Sequence, residues 1–174
     1  MKLLLWILTA TLALAGCSAL PFTDEAQARE IARGLSQFYQ TSAIIQTGQM
    51  EVRANIYRPD PMTTQVQVTA PPRLAGLEYT LRDGATQLSY QGLTFNLSPH
   101  GGAQVMPLVG AVNALADLLL PQAQRPLPTR TADGLWQLAG ESGTLLLNDD
   151  GIPVKLLTQR QSTKIVLENF EFLG

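Results

Sequence analysis

Thiol and imidazole are almost missing from this chain, which has one cysteine and one histidine in 174 residues. With Cys17 alone, no internal disulfide can form. His100 sits in Ser98-Pro99-His100-Gly101-Gly102, which reads as an exposed turn with no second His or Cys beside it. Neither a His/Cys metal site nor a Cys–His nucleophile pair is built from that set. A serine triad would have to borrow the loop histidine, and there is no Gly-x-Ser-x-Gly elbow. No glycine-rich phosphate loop occurs either. Asp149-Asp150 is a carboxylate pair, but Gly151 after it makes a turn the natural reading. The residues point to binding or scaffolding, not turnover, and imply no cofactor and no metal.

Charge is scarce as well. Asp, Glu, Lys and Arg make up 15% of the chain, against about a quarter in an ordinary soluble domain. The net charge is −2 and no basic cluster is present, which argues against a nucleic-acid partner. Either the core is unusually large, or apolar surface is kept for something besides the core.

Apolar runs are short. The longest, Leu3 to Leu14, falls below the roughly 20 residues that a spanning helix needs. It follows Lys2 and ends in Leu14-Ala15-Gly16-Cys17, the order of a secretory signal: basic start, apolar middle, small residues at the cut. Cysteine directly after Leu-Ala-Gly resembles the bacterial lipobox, in which the thiol is diacylated and becomes the new N-terminus. The expected organisation is a signal peptide over 1–16, the lipidated Cys17 with a tether over 17–22, and a single domain over 23–174. Removing Lys2 leaves 11 of the 12 basic side chains against 14 acidic ones, a net charge near −3. More than one acyl chain makes anchoring stable. The domain is then tethered to membrane lipid through acylated Cys17. It would sit on the outer face of the cytoplasmic membrane, or on an outer membrane if the host has one.

The rest of the chain changes period twice. Asp24 with Gln27 forms a capping box, and Ala28, Ile31, Leu35 and Phe38 continue at helical spacing to about Tyr39. From Ile44 the period is two. Met50, Val52, Ala54 and Ile56 alternate with polar residues, as do Val66 and Val68, then Leu77, Tyr79 and Leu81. Turns are expected at Arg58-Pro59-Asp60-Pro61, Pro71-Pro72, Asp83-Gly84 and Gln91-Gly92, with short strands near Leu88–Tyr90 and Leu93–Leu97. Pro107 to Pro121 is helical and apolar over more than half its circumference, only Asn113 and Asp117 forming a polar stripe. It must be enclosed on several sides. After a Pro-rich connection, Gln122–Thr129, strands resume at Leu135–Leu138, Thr144–Leu147, Val154–Thr158 and Lys164–Phe172. The last is apolar on both faces and reads as covered on both. The fold class expected is α+β: one strongly curved antiparallel sheet, an incomplete β-barrel, wrapped around or capped by helices.

This arrangement resembles the LolA/LolB superfamily of lipoprotein carriers, most of all the lipid-anchored LolB branch. Thr69–Leu81, "TAPPRLAGLEYTL", is similar to the Pro-Leu-Gly loop and following strand of LolB. Asp150–Phe172, "DGIPVKLLTQRQSTKIVLENFEF", is similar to the terminal hairpin of both branches. The resemblance implies a half-barrel whose concave apolar face holds acyl chains while helices close the mouth. It places Leu74 where LolB carries an exposed leucine that helps deliver cargo to the membrane, although Arg73 and an extra proline reshape the loop here. From the residue pattern alone, Leu74 is equally the first core residue of the next strand.

The function expected is thus a membrane-anchored lipoprotein that carries or receives a lipid or the acyl chains of a lipoprotein. Its lining would come from Val52, Ala54, Ile56, Val66, Val68, Leu77, Tyr79 and Leu81, with Leu108, Val112 and Leu119 as a helical plug. The alternative is a non-enzymatic adaptor that binds an envelope protein, resembling the germination or cortex-processing lipoproteins of spore-forming bacteria. Anchoring is open to test in either case. Cys17→Ala should leave the protein unlipidated and move it out of the membrane fraction while circular dichroism still reports a folded domain. Recovery of the variant in the detergent phase would assign anchoring to another part of the chain.

Overall fold

The structure, a computed structural model, describes residues 24–82, 85–97, 106–119, 126–159 and 163–173. Cys17, the Asp83-Gly84 turn, His100 and Pro121 lie outside these. Helix α1 (Asp24–Gly34) leads into β1 (Tyr39–Thr47), β2 (Met50–Asp60), β3 (Thr63–Ala70), β4 (Glu78–Arg82), β5 (Ala85–Tyr90) and β6 (Leu93–Leu97). Helix α2 (Met106–Leu119) follows, then β7 (Thr129–Arg130), β8 (Trp136–Gly140), β9 (Gly143–Leu147), β10 (Pro153–Thr158) and β11 (Thr163–Phe172). The strands form one antiparallel sheet in the order β6-β5-β4-β3-β2-β1-β11-β10-β9-β8-β7. The chain is an α+β protein whose sheet is not closed into a barrel, since β6 and β7 are its two edges.

Strand parity decides what the sheet encloses. Inward positions are Tyr39, Thr41, Ala43 and Ile45 on β1, and Val52, Ala54, Ile56 and Arg58 on β2. On the other side of β1, Ile165 and Leu167 face Ile45 and Ala43. Leu156 pairs with Ile165, Leu145 with Leu156, and Leu138 with Leu145. All of these inward side chains are buried. Helix α2 lies against β8, β9, β10 and β11, and its buried residues share one apolar cluster with the inner face of β1 to β4. The enclosure expected for this helix is what the fold supplies.

Four local expectations need correction. The first helix stops at Gly34, not near Tyr39. Ser36 closes the exit by accepting the Phe38 N–H at 3.1 Å, and Tyr39 is already the first inward residue of β1. The alternation therefore begins five residues before Ile44, hidden by the polar Thr41 at an inward position.

The expected Arg58–Pro61 turn is mostly strand. β2 runs on to Asp60, and the turn is Pro61-Met62, held by Asp60 Oδ1 accepting the Met62 and Thr63 N–H groups at 2.8 and 2.7 Å. Pro59 is accommodated because the β2–β3 register shifts between Tyr57 and Asp60.

The last strand is not covered on both faces. Val166 is only half-buried, and the apolar residues change parity because a bulge interrupts β11. Glu168 pairs with Ser42 but Glu171 with Gln40, Asn169 has a φ of +51°, and the Glu168 carbonyl accepts Thr41 Oγ1–H at 3.0 Å. Ile165 and Leu167 point inward before the bulge, and Phe170 and Phe172 pack on the same core after it.

The Pro-rich connection holds a short strand, β7. Arg130 pins it, pairing with Asp149 at 2.9 Å and lying over the Trp136 ring at 5.3 Å.

Neighbours in β10 test the parity. Leu156 is fully buried while Leu157 is 39% exposed. Leu156→Ala should cost about 2–5 kcal/mol through lost burial and the cavity left behind. Leu157→Ala should cost no more than about 1 kcal/mol. Urea unfolding of the two variants checks this, and equal losses would contradict the register.

Candidate functional site

The inner face of β2, β3 and β4 is built by cross-strand apolar rows. Ile56 faces Val66, which faces Tyr79, while Ala54 faces Val68. Val52 lies further along β2 and Leu81 further along β4, and all these side chains are buried. Leu77, just before β4, is half-buried against them. Helix α2 brings Leu108, Val112 and Leu119 into the same cluster. Leu74 lies in the Pro71–Gly76 turn, where its N–H donates to the Pro71 carbonyl at 2.8 Å, and its half-buried side chain packs on the core.

The polar stripe of α2 faces outward. Asn113 and Asp117 are its exposed side chains among the described residues. Asp117 accepts the Ser142 hydroxyl at 3.0 Å over the β8–β9 turn. They border a groove of about 350 Å³ with Glu141, Ser142 and Thr158. Every other described α2 side chain is buried, so the interior surface of the helix carries no polar group.

The inner face does not end at β4. Tyr79 faces Leu88, Leu88 faces Phe95, and Tyr90 faces Leu93. Here cover fails: Phe95 is 51% and Leu93 62% exposed, beside a half-buried Leu88 and Tyr90. An uncovered apolar shelf thus continues the filled interior along one edge of the sheet.

Sequence reasoning passed over the polar residues of this face. Arg58 and Thr64 carry on the inward parity of Val52–Ile56 and Val66–Val68, which was the signal available, and both are buried. Tyr39 pairs with Arg58 across β1 and β2. Burial raises the Tyr39 hydroxyl above the usual phenol range, and the Arg58 charge pulls weakly the other way. Asp149 and Asp150 stand in a turn where Asn148 Oδ1 accepts the Asp150 and Ile152 N–H groups at 3.0 and 2.8 Å. Among the described residues no three His, Cys, Asp or Glu side chains come together as a metal site. No helix among them is long and apolar enough to cross a membrane.

Neither a family model nor a curated protein matches the sequence. Solved structures similar to the chain include an uncharacterized conserved protein from Thermus thermophilus, at 17% identity over 87% of this chain and 88% of that one, with a TM-score of 0.46. A LolA superfamily protein from Nitrosomonas europaea is 10% identical over 85% of this chain and 91% of that one, with a TM-score of 0.39. MucB is 14% identical with a TM-score of 0.44, and the match spans 86% of this chain but 58% of MucB. At these identities the likeness concerns the layout of sheet and helices alone.

The shelf yields a direct test. Leu93→Ser combined with Phe95→Ser removes exposed apolar area, so it should lower the fluorescence of a surface-binding dye such as ANS at least twofold. Unfolding stability should change by no more than about 1 kcal/mol per site. Unchanged dye binding would place the accessible apolar surface elsewhere.

Proposed function

We propose that this chain is a membrane-tethered binding protein that carries or receives an apolar ligand, a lipid or the acyl part of a lipoprotein, between α2 and the inner face of the sheet. Cys17 is its anchor, 17–22 its tether and 23–174 its domain. The observation that carries this reading is the apolar shelf on β5 and β6, open to solvent and continuous with the inner face of β2–β4, whose buried residues share one apolar cluster with α2. A chain that lands on Leu93 and Phe95 can advance past Leu88 and Tyr79 only by displacing part of that apolar cluster, to which α2 contributes. The exchange is apolar for apolar. Each buried methylene contributes about 0.8 kcal/mol, so a long acyl chain can offset the contacts α2 gives up, and a better apolar partner can take the cargo back. Ligand would then touch Val52, Ala54, Ile56, Val66, Val68, Leu77, Tyr79 and Leu81, and the displaced surface would be that of Leu108, Val112 and Leu119. For Leu74 to meet a membrane, its turn would have to swing off the core. An adaptor is the second reading, favoured by how completely α2 already fills the interior, with Ala111, Val112, Leu115 and Leu119 fully buried.

A reversible lock separates the two. A Cβ added at Gly140 would stand 2.7 Å from Leu118 Cδ2 and 4.0 Å from its Cγ, so Leu118→Cys and Gly140→Cys would be neighbours across the α2–β8 contact, and mass spectrometry checks that the bridge forms. Asp117→Cys with Ser142→Cys is a second pair, on side chains already 3.0 Å apart. In a Cys17→Ser background, either lock should abolish uptake of a fluorescent fatty acid, and reduction should restore it. Equal uptake in both states, or none in either, would overturn the carrier reading. A locked protein that takes up nothing in either state yet complements a deletion strain would be an adaptor.

A further inference from the structure

Arg58 is the anomaly of the interior. It is 8% exposed and continues the inward run Val52, Ala54, Ile56. Its Nη1 donates to Thr64 Oγ1 at 2.5 Å and its Nη2 to the Pro61 carbonyl, both neutral acceptors, while Nε has no partner. Among the described residues no carboxylate answers this charge. Asp60, two residues on, is occupied by the Met62 and Thr63 N–H groups, and the cation that acts on it is Arg82. Buried charges are ordinarily paired. Directly across β1–β2 stands Tyr39, fully buried, its hydroxyl also without a partner. Its ring is held in place by Phe170, stacked at 5.2 Å, with Phe172 edge-on to Phe170 at 5.1 Å. An unsatisfied guanidinium N–H and an unsatisfied hydroxyl thus belong to cross-strand neighbours on one inner face.

We propose that Arg58 and Tyr39 form the head-group end of the ligand site and take a carboxylate or phosphate from an anionic amphiphile. This rests on the carrier reading above. A guanidinium suits the planar, multiply accepting oxygens of either anion. Tyr39 adds an O–H donor, and Thr64 can surrender Nη1 because its hydroxyl is a weaker acceptor than an anion. From Arg58 back to Val52 the strand gives about 20 Å of apolar floor, at about 3.3 Å per residue. The chain of the amphiphile lies along that floor, so the site selects for a charged head and a long tail together.

The test uses the full chain carrying Cys17→Ser, with dissociation constants from displacement of a fluorescent fatty acid by hexadecanoate, hexadecyl phosphate and hexadecanol. At least one anion should bind about tenfold more tightly than the alcohol, and the one preferred names the head group. Arg58→Gln should erase that preference and leave alcohol binding within about twofold. Tyr39→Phe should weaken the anion several-fold and not the alcohol. If Arg58→Gln fails to fold, Arg58→Lys, which keeps the charge and loses the fork, should still cut the preference. Equal binding of all three amphiphiles, or a preference that survives at Arg58→Gln, overturns the head-group site and leaves the carrier reading standing. Binding of none of the three overturns both.

Discussion

Mutual burial of α2 and the inner face of the sheet is the constraint on which the structure turns. A helix apolar over more than half its circumference has no stable place on a surface, where only one stripe is covered. An eleven-stranded sheet that stays open has a complementary problem, an inner face that must be kept from water. Each answers the other. Ala111, Val112, Leu115 and Leu119 of the helix and Trp136, Leu145, Leu147, Leu156 and Ile165 of the sheet are fully buried in one cluster. The bulge at Asn169 serves the same end, because without its change of parity Phe170 and Phe172 would point away from the core that they pack on.

Much of this was legible because inward and outward positions differ in polarity. The strands carrying Val52–Ile56, Val66–Val68 and Tyr79–Leu81 announce themselves by alternation, and the wide apolar circumference of α2 announces its enclosure. Reading failed where an inward residue is polar or where parity slips. Thr41 hid the start of β1. Arg58 reads as turn because prolines flank Asp60, although a strand tolerates Pro59 where the ladder is already irregular. No pattern in Glu168-Asn169-Phe170 signals a bulge, since the positive φ at Asn169 serves a pairing made with β1, more than a hundred residues earlier. The inner face was half legible for the same reason: its apolar residues follow the alternation, and Arg58 breaks it.

The edges of the sheet are handled unequally. β7 has two residues and is tied down by Arg130, which offers little backbone for another chain to pair with. β6 is five residues long and alternates Leu93, Phe95 and Leu97 with Thr94 and Asn96. Its inner side chains remain uncovered although the rest of that face is filled. Natural edge strands are usually blunted with charge or cover. An apolar edge left open on the inside of the curve is a cost to solubility, which the proposed binding role would explain.

How readily α2 could leave its seat follows from its own composition. No acidic residue stands in its first turn and no basic residue in its last, so its own side chains do not complement the helix dipole. Gly110 in its first half costs about 1 kcal/mol against alanine, and Val109 and Val112 are poor helix formers for lack of side-chain freedom. At 14 residues it is near the length below which isolated helices are marginal in water. Its own sequence therefore contributes little helix stability, and docking on the sheet supplies most of it. Under the carrier reading proposed above, a ligand that enters would have to supply nearly all the apolar contact that α2 loses, which short or polar molecules cannot do. Selection for a long apolar chain then needs no shaped pocket. It is set by the amount of burial required to compete with the protein's own helix.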